Sequence, residues 1–426
     1  MSDQLRVLSV YEGFFSGGAR ILHTDVLTGL HGRRGQRHSV LSIHEEMYRE
    51  ATRQPMDRDL SYRKLVTSGL TVSTLGHGAD GSQPFGEADL TAAARLVARS
   101  DVLLTLKEHP LRLLNRIDLQ GRPVISCLHR SDPENQGPAF QELAEAARSG
   151  RLAAAVCCAY SAKDAYARAG IPADLLHVIP NGVDLRRFRP SRPARAAVRA
   201  AQGIPADAPV VAFAARYDPM KNVTLFLAAV RVFLDRRPDA HILLCGPGMT
   251  SANPDLVEEL AAAGLLGRVG EADQPARART ARRRIHLLGP RPDPEAVFNA
   301  ADIVALTSAF GEAAPLCLIE GLLCGAVPVA TDVGDSATIV AGHGLITPPD
   351  AHAIAAAWAQ ALTRRAEFQH AATRSRRHFG RARMISAYGA LIRQTHRSTP
   401  RTIWFPAIPV PTAAAAAPAV KELAAL

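Results

Sequence analysis

Glu312 and Glu320 stand eight residues apart within residues 302–340, DIVALTSAFGEAAPLCLIEGLLCGAVPVATDVGDSATIV. An apolar run from Ile303 to Leu306 reads as a strand, and a short loop after it carries Glu312. A helix carrying Glu320 follows, then Gly325 and a second apolar strand, Val327 to Ala330. Pro315 suits the first turn of the helix and Gly325 its C-terminal stop. The helix therefore opens at the carboxyl end of a strand, where open α/β sheets bind phosphates and nucleotides. One carboxylate precedes the helix and the other lies about a turn inside it, so both can face a ligand lying across the helix start.

Arg216 and Lys221 form a second constellation, in AARYDPMKNVTLFLAAV directly after the apolar run Val210 to Phe213. A strand followed by a loop with two cations suits a diphosphate leaving group, whose departing negative charge must be stabilised in the transition state. Arginine can grip two oxygens at once, whereas lysine acts as a compact point charge. Five of the 50 basic residues are lysines, and Lys221 is the only one between residues 164 and 420. A lysine retained in so arginine-biased a chain points to function. Asp57-Arg58-Asp59 has the letters of a metal-binding Asp-x-Asp, but it follows TRQPM, which is not a strand.

Alternating strands and helices must position these residues. Leu5–Val10, Ser39–Ile43, Leu70–Thr74, Asp101–Leu106, Val124–Leu128, Ala153–Ala159 and Leu176–Ile179 read as strands of the first half. Val210–Phe213, Ala240–Cys245, Arg284–Leu288, Ile303–Leu306 and Val327–Ala330 read as strands of the second. Helical stretches between them argue for parallel, doubly wound sheets. PNGVDLRRFRPSRPARAA, residues 180–197, reads as the connection between two domains, with Asn181-Gly182 as a turn pair. Residues 268–284 read as a basic insertion in which Arg277, Arg279, Arg282, Arg283 and Arg284 form a charge run, solvated or facing an anionic membrane or acceptor. The Pro/Ala-rich tail from about residue 398 is expected to be poorly ordered.

The length of 426 residues allows two ordinary domains, and a 47% hydrophobic content is that of a globular chain. No apolar run reaches the roughly 18 residues of a spanning helix. MSDQLRVLSV holds a strand rather than a signal-peptide core, which predicts a cytoplasmic protein, possibly membrane-associated through its basic surface. The six cysteines form no metal-type spacing, and Cys157 and Cys158 read as buried strand residues. The net charge of +10 fits nucleic acid, an anionic membrane or phosphorylated ligands. Aromatics at 5%, with no helix-turn-helix or zinc-finger spacing, argue against nucleic acid.

The Glu-(seven residues)-Glu pattern, the Arg216/Lys221 pair and the segment PNGVDLRRF together resemble the family-four (group 1) retaining glycosyltransferases. The likeness runs over about residues 1–397 and is weakest over 44–100. It implies the GT-B fold: an α/β protein of two Rossmann-like, doubly wound domains facing a central cleft. The domains are then 1–185 on the acceptor side and 186–380 for the nucleotide-sugar donor. Residues 381–397 are a helix crossing back to the first domain, and 398–426 a low-complexity tail.

By the same resemblance Glu320 binds the ribose, Glu312 lies near the donor sugar, and Arg216 and Lys221 hold the diphosphate. Backbone groups of Ala313 to Leu316 touch sugar and diphosphate, although Pro315 stands where the family more often has glycine, which removes one N–H. Gly17 and Gly18 bring backbone close to donor and acceptor, and His129 contacts the sugar near its anomeric centre. Arg291 lies in a loop that positions the base, and Lys107 and Glu108 face the acceptor.

The implied activity is transfer of a sugar with retention from a nucleoside-diphosphate sugar (UDP or GDP type) to a hydroxyl. The acceptor would be a small molecule, a lipid-linked sugar or a polysaccharide, and neither metal nor other cofactor is expected. A GT-B-shaped sugar-nucleotide epimerase is the alternative and would turn over donor without acceptor. A NAD-linked dehydrogenase is disfavoured because no G-x-G-x-x-G occurs. A non-enzymic two-lobed binding protein would normally be exported.

Overall fold

Buried parallel strands are continuous runs of Val, Leu, Ile and Ala, and such runs build both sheets of this protein. The computed structural model describes residues 4–15, 17–33, 35–49, 52–79, 83–271 and 283–398. The chain divides into two units, one formed by the residues up to Pro180 together with those from Met384 on, the other by Asn181–Arg383.

In the first unit β1 (Leu5–Tyr11), β2 (Gln36–His44), the hairpin β3 (Glu46–Arg49) and β4 (Thr52–Pro55), β5 (Thr71–His77), β6 (Val102–Leu106), β7 (Val124–Leu128), β8 (Leu152–Cys157) and β9 (Leu176–Val178) follow in sequence. Seven of them make a parallel sheet in the order β5-β2-β1-β6-β7-β8-β9. Val7 is matched with His38 on one side and Val102 on the other, and Val7, Leu8 and Val10 are buried. The helix Arg381–Arg397 packs here. Gln36 Nε2 donates to the Gly389 carbonyl at 3.2 Å, and Gly29 has no Cβ, which lets Ile385 sit against it.

In the second unit the sheet order is β12-β13-β11-β10-β14-β15-β16. Its strands are β10 (Val210–Ala214), β11 (His241–Cys245), β12 (Val269–Glu271), β13 (Ile285–Gly289), β14 (Ile303–Leu306), β15 (Val327–Thr331) and β16 (Leu345–Thr347). One core cluster holds Phe213, Phe226, Phe233 and Trp358, with Phe213 and Phe226 stacked at 4.3 Å. Another core cluster includes Val304, Leu318, Ile319 and Leu323 from β14 and the helix Leu316–Cys324. A Cβ on Gly321 would lie 2.5 Å from Val304 Cγ1, so glycine lets that helix press on β14 and fixes where Glu320 stands.

Asp302 anchors the start of β14. It accepts from the Val210 N–H at 2.8 Å and from Arg195, Arg199 and Arg365 at 2.8, 2.9 and 2.5 Å. Three expectations differ from the structure. The hairpin β3–β4 and the edge strands β12 and β16 were not anticipated, being short and lacking an apolar run. Pro315 caps the helix rather than entering its first turn. β8 ends at Cys157, so Cys158 lies just past the strand, although Cys127, Cys157 and Cys158 are all buried.

Asp59 accepts from the Ser61 and Tyr62 N–H groups and caps the helix Leu60–Thr67, a structural use of the Asp-x-Asp letters. Arg277, Arg279, Arg282 and the tail beyond residue 398 lie outside the described residues. No helix among the described residues is long and apolar enough to cross a membrane.

Candidate active site

The chemistry-bearing residues of the second unit gather at the carboxyl ends of β10 and β14. After β10, Arg216 pairs with Asp218 at 3.0 Å. Asp218 also accepts from the Met220 N–H at 2.9 Å, which tightens the turn Pro219–Lys221. Asn222 takes a left-handed conformation, φ 51°, and caps the helix Val223–Arg236 through the Leu225 N–H. Thr307 Oγ1 donates to the carbonyls of Lys221 and Asn222, both at 3.1 Å, and the Ala309 N–H donates to Met220. The turn bearing Lys221 is thereby stitched to the end of β14.

Lys221 Nζ donates to Glu312 Oε1, and Ser308 Oγ donates to the same oxygen at 2.7 Å. Glu312 is 7% exposed, so its charge is matched at close quarters as a buried carboxylate requires. Gly334, at φ +64°, lies so close that a Cβ would stand 2.2 Å from the Glu312 carbonyl, and the Asp335 N–H donates to the Ala313 carbonyl at 2.7 Å. Asn181 Nδ2 holds the Ala314 carbonyl at 3.1 Å. Leu316 then begins the helix Leu316–Cys324 after Pro315 at the N-cap, and no side chain hydrogen-bonds to the cap. Its first-turn N–H groups lack a side-chain acceptor, and their dipoles favour an anion.

Glu320 retains some surface, but its carboxyl is shielded. Burial pushes its pKa up to about 8, with the Arg187 guanidinium opposing and Glu295 adding to the rise. Arg187 itself holds Glu295 at 2.8 Å. Burial also raises the Cys317 thiol to about 12, and that thiol feels the charges of Lys221, Glu312 and Glu320. One neighbourhood therefore contains all three.

Arg291 follows β13 and makes a two-pronged pair with Asp293, at 2.9 and 2.7 Å. Its charge acts on the Cys245 thiol at the end of β11. A cavity of about 410 Å³ adjoins this region, with Ser308, Thr331 and Thr347 in its wall. Among the described residues no trio of His, Cys, Asp or Glu is grouped to hold a metal ion.

In the first unit Gly17 is extended, φ 175°, and precedes the helix that begins at Gly18. Nothing described lies within 4 Å of a Cβ built there, so space rather than backbone conformation is what this glycine provides. His129 comes just after β7. Its Nε2 is buried with no hydrogen-bond partner among the described residues. Burial, aided by the charge of Lys107, lowers its pKa to about 3. Lys107 is a non-glycine residue at φ +67°, held by its N–H to the Cys127 carbonyl and by Thr105 Oγ1 to its own carbonyl.

Glu108 is 2% exposed and accepts from the Tyr166 hydroxyl. Ser308 and Arg187 were missed in the sequence. Ser308 sits four residues before Glu312, a spacing with no signal of its own outside a helix.

Two family models match the chain, Glycosyl transferases group 1 over residues 194–379 and Glycosyltransferase Family 4 over 33–187. Between them the matches cover most of both units, and the chain belongs to this glycosyltransferase family. It is 32% identical over 248 residues to the D-inositol 3-phosphate glycosyltransferase of Thermobispora bispora, covering 54% of each chain. The namesake from Nocardia farcinica is 34% identical over 178 residues, 40% of this chain and 35% of that one. The chain thus spans about half the length, or less, of these curated relatives.

Among solved structures, Anabaena Alr3699/HepE in complex with UDP-glucose superposes with a TM-score of 0.72 at 19% identity, over 92% of this chain and all of that one. A glycosyltransferase from Rickettsia africae ESF-5 gives 0.69 at 16% identity, over 93% and 100%. The fold is that of the GT-B glycosyltransferases.

Proposed function

We propose that the protein is a retaining glycosyltransferase that moves a sugar from a nucleoside-diphosphate sugar to an acceptor hydroxyl without a metal ion. The observation that carries this reading is the Lys221–Glu312 pair, closed by Ser308, beside Arg216 and an uncapped helix start. A diphosphate brought to Lys221 competes with Glu312 for the ammonium. Glu312 is then released to accept from hydroxyls of the sugar. Arg216 and the helix N–H groups add positive potential as the diphosphate leaves, the charge stabilisation that a metal supplies elsewhere.

Glu320 is assigned to the ribose and Arg291, with Pro315 and Leu316, to the base and diphosphate. His129, Gly17 and Gly18 keep the donor-side roles the family likeness implies, and Lys107 that of an acceptor contact. His129 is a neutral imidazole at physiological pH, fit to orient a hydroxyl rather than to carry charge. Attack of the acceptor hydroxyl on the same face as the leaving diphosphate, without a covalent sugar intermediate, is the favoured route. Complexes of the Anabaena protein with UDP and UDP-glucose favour a uridine donor.

The test is product formation from UDP-glucose with a chelator present and an acceptor panel that includes D-inositol 3-phosphate, the anomeric configuration being read by NMR. Transfer with retention supports the reading. An inverted product, a strict need for a divalent cation, or epimerisation of donor without acceptor would each overturn it.

A further inference from the structure

Residues 184–195 and 364–383 hold twelve arginines and two acidic residues. That surplus of ten equals the net charge of the whole chain, so the rest of the sequence is neutral on balance. The fold knits the two segments into one surface of the second unit. Arg376 donates to the carbonyls of Leu185 and Phe188, the latter at 2.7 Å. Arg381 pairs with Asp184 at 2.9 Å, and the Val183 N–H donates to the Phe379 carbonyl at 2.8 Å.

Some of these guanidiniums have acidic partners: Arg195 and Arg365 share Asp302, Arg364 holds Glu367, and Arg187 holds Glu295. Arg186, Arg189, Arg192 and Arg377 are exposed and pair with no acid among the described residues. Clustered like charge opposes folding, and here it reaches inward. Burial holds Arg376 below the usual guanidinium range, and Arg189 lowers it further. By sequence, residues 272–282 and 399–426 hold four arginines and a lysine against two acids and so add no net negative charge. An anionic surface would complement these exposed cations.

We propose that this arginine surface docks the protein on an anionic lipid bilayer. Guanidinium forks bind phosphate oxygens in pairs, and each cation near an anionic leaflet adds to the partition. The two segments contain neither Tyr nor Trp, Phe188 and Phe368 are buried, and Phe379 is half-buried with its ring against His343, which leaves little aromatic surface for stacking on unpaired bases. This docking does not depend on the transferase reading.

Sedimentation with phosphatidylcholine vesicles, with and without phosphatidylglycerol, tests it. The full chain should bind only the phosphatidylglycerol vesicles and should be released by high salt. The triple variant Arg189→Glu, Arg192→Glu, Arg377→Glu should partition on the order of tenfold or more less well at an unchanged melting midpoint. Equal binding to neutral vesicles, no binding at all, or tighter binding of duplex DNA than of vesicles would overturn the proposal. So would a folded triple variant that binds as the wild type does. If the triple variant fails to fold, the lipid and salt dependence of the wild type decides alone.

Discussion

Lys221 and Glu312 are 91 residues apart in sequence and share a hydrogen bond that ties the turn after β10 to the loop after β14. The carboxylate oxygen that takes the ammonium also takes the Ser308 hydroxyl. Lys221→Ala removes the ammonium from the buried Glu312 carboxylate. Turnover should fall on the order of 10²-fold or more if the lysine stabilises leaving-group charge. Steady-state kinetics at saturating donor read this directly, and a wild-type rate would remove Lys221 from the mechanism.

Glu320 predicts a pH dependence of stability. Its carboxyl has a folded pKa of about 8 against 4.5 when unperturbed. The folded state therefore holds the proton more tightly, and the stability this confers is complete below about pH 4.5 and lost as pH rises through about 8. Glu320→Gln should leave stability similar in acid and gain on the order of a few kcal/mol relative to wild type near pH 9. Denaturant melts across pH check this. The same variant should lose thermal protection by UDP, and unchanged protection would reject the ribose role.

Acid should weaken the first unit. Burial lowers His23, His38 and His129 to about 3, with neighbouring His129 acting on His23, His23 on His38, and Lys107 on His129. Each stays neutral when folded and gains a proton on unfolding below its ordinary value. Stability should then fall as pH drops from about 6.5 toward 3, by roughly 1.4 kcal/mol per pH unit for each histidine. His38→Gln should flatten that slope, as thermal melts at stepped pH would show.

Two glycines separate backbone support from open space. Gly334→Ala places a Cβ against the Glu312 carbonyl at positive φ, so the loop must move and turnover should fall by on the order of tenfold or more. Gly17→Ala meets nothing described and needs no unusual φ, so its melting midpoint should match wild type. Any loss of activity in that variant then reports a ligand needing the space.

Asp302→Ala should destabilise the second unit by about 3–5 kcal/mol, because three guanidiniums and the Val210 N–H lose their shared acceptor. Urea melts measure it, and the folded fraction should keep its specific activity.

The strand–loop–helix–strand unit around Glu312 and Glu320 is legible in the sequence because buried parallel strands are unbroken apolar runs and Gly325, at φ +94°, stops the helix. β12 and β16 are three residues long, too short to show a period, and the hairpin β3–β4 is polar. Glu108 turns inward because Tyr166, 58 residues later, supplies its donor. Arg187 reaches the field of Glu320 through the fold of the connecting segment. Both relationships are tertiary, and no local spacing encodes them.

In the proposed mechanism Arg216 and Lys221 receive the diphosphate. Calorimetric titration of UDP into the wild type, Arg216→Ala and Lys221→Ala, with a chelator present, tests it most directly. Wild-type binding that weakens on the order of tenfold or more in each variant is the predicted result. Equal affinity in all three proteins would contradict it.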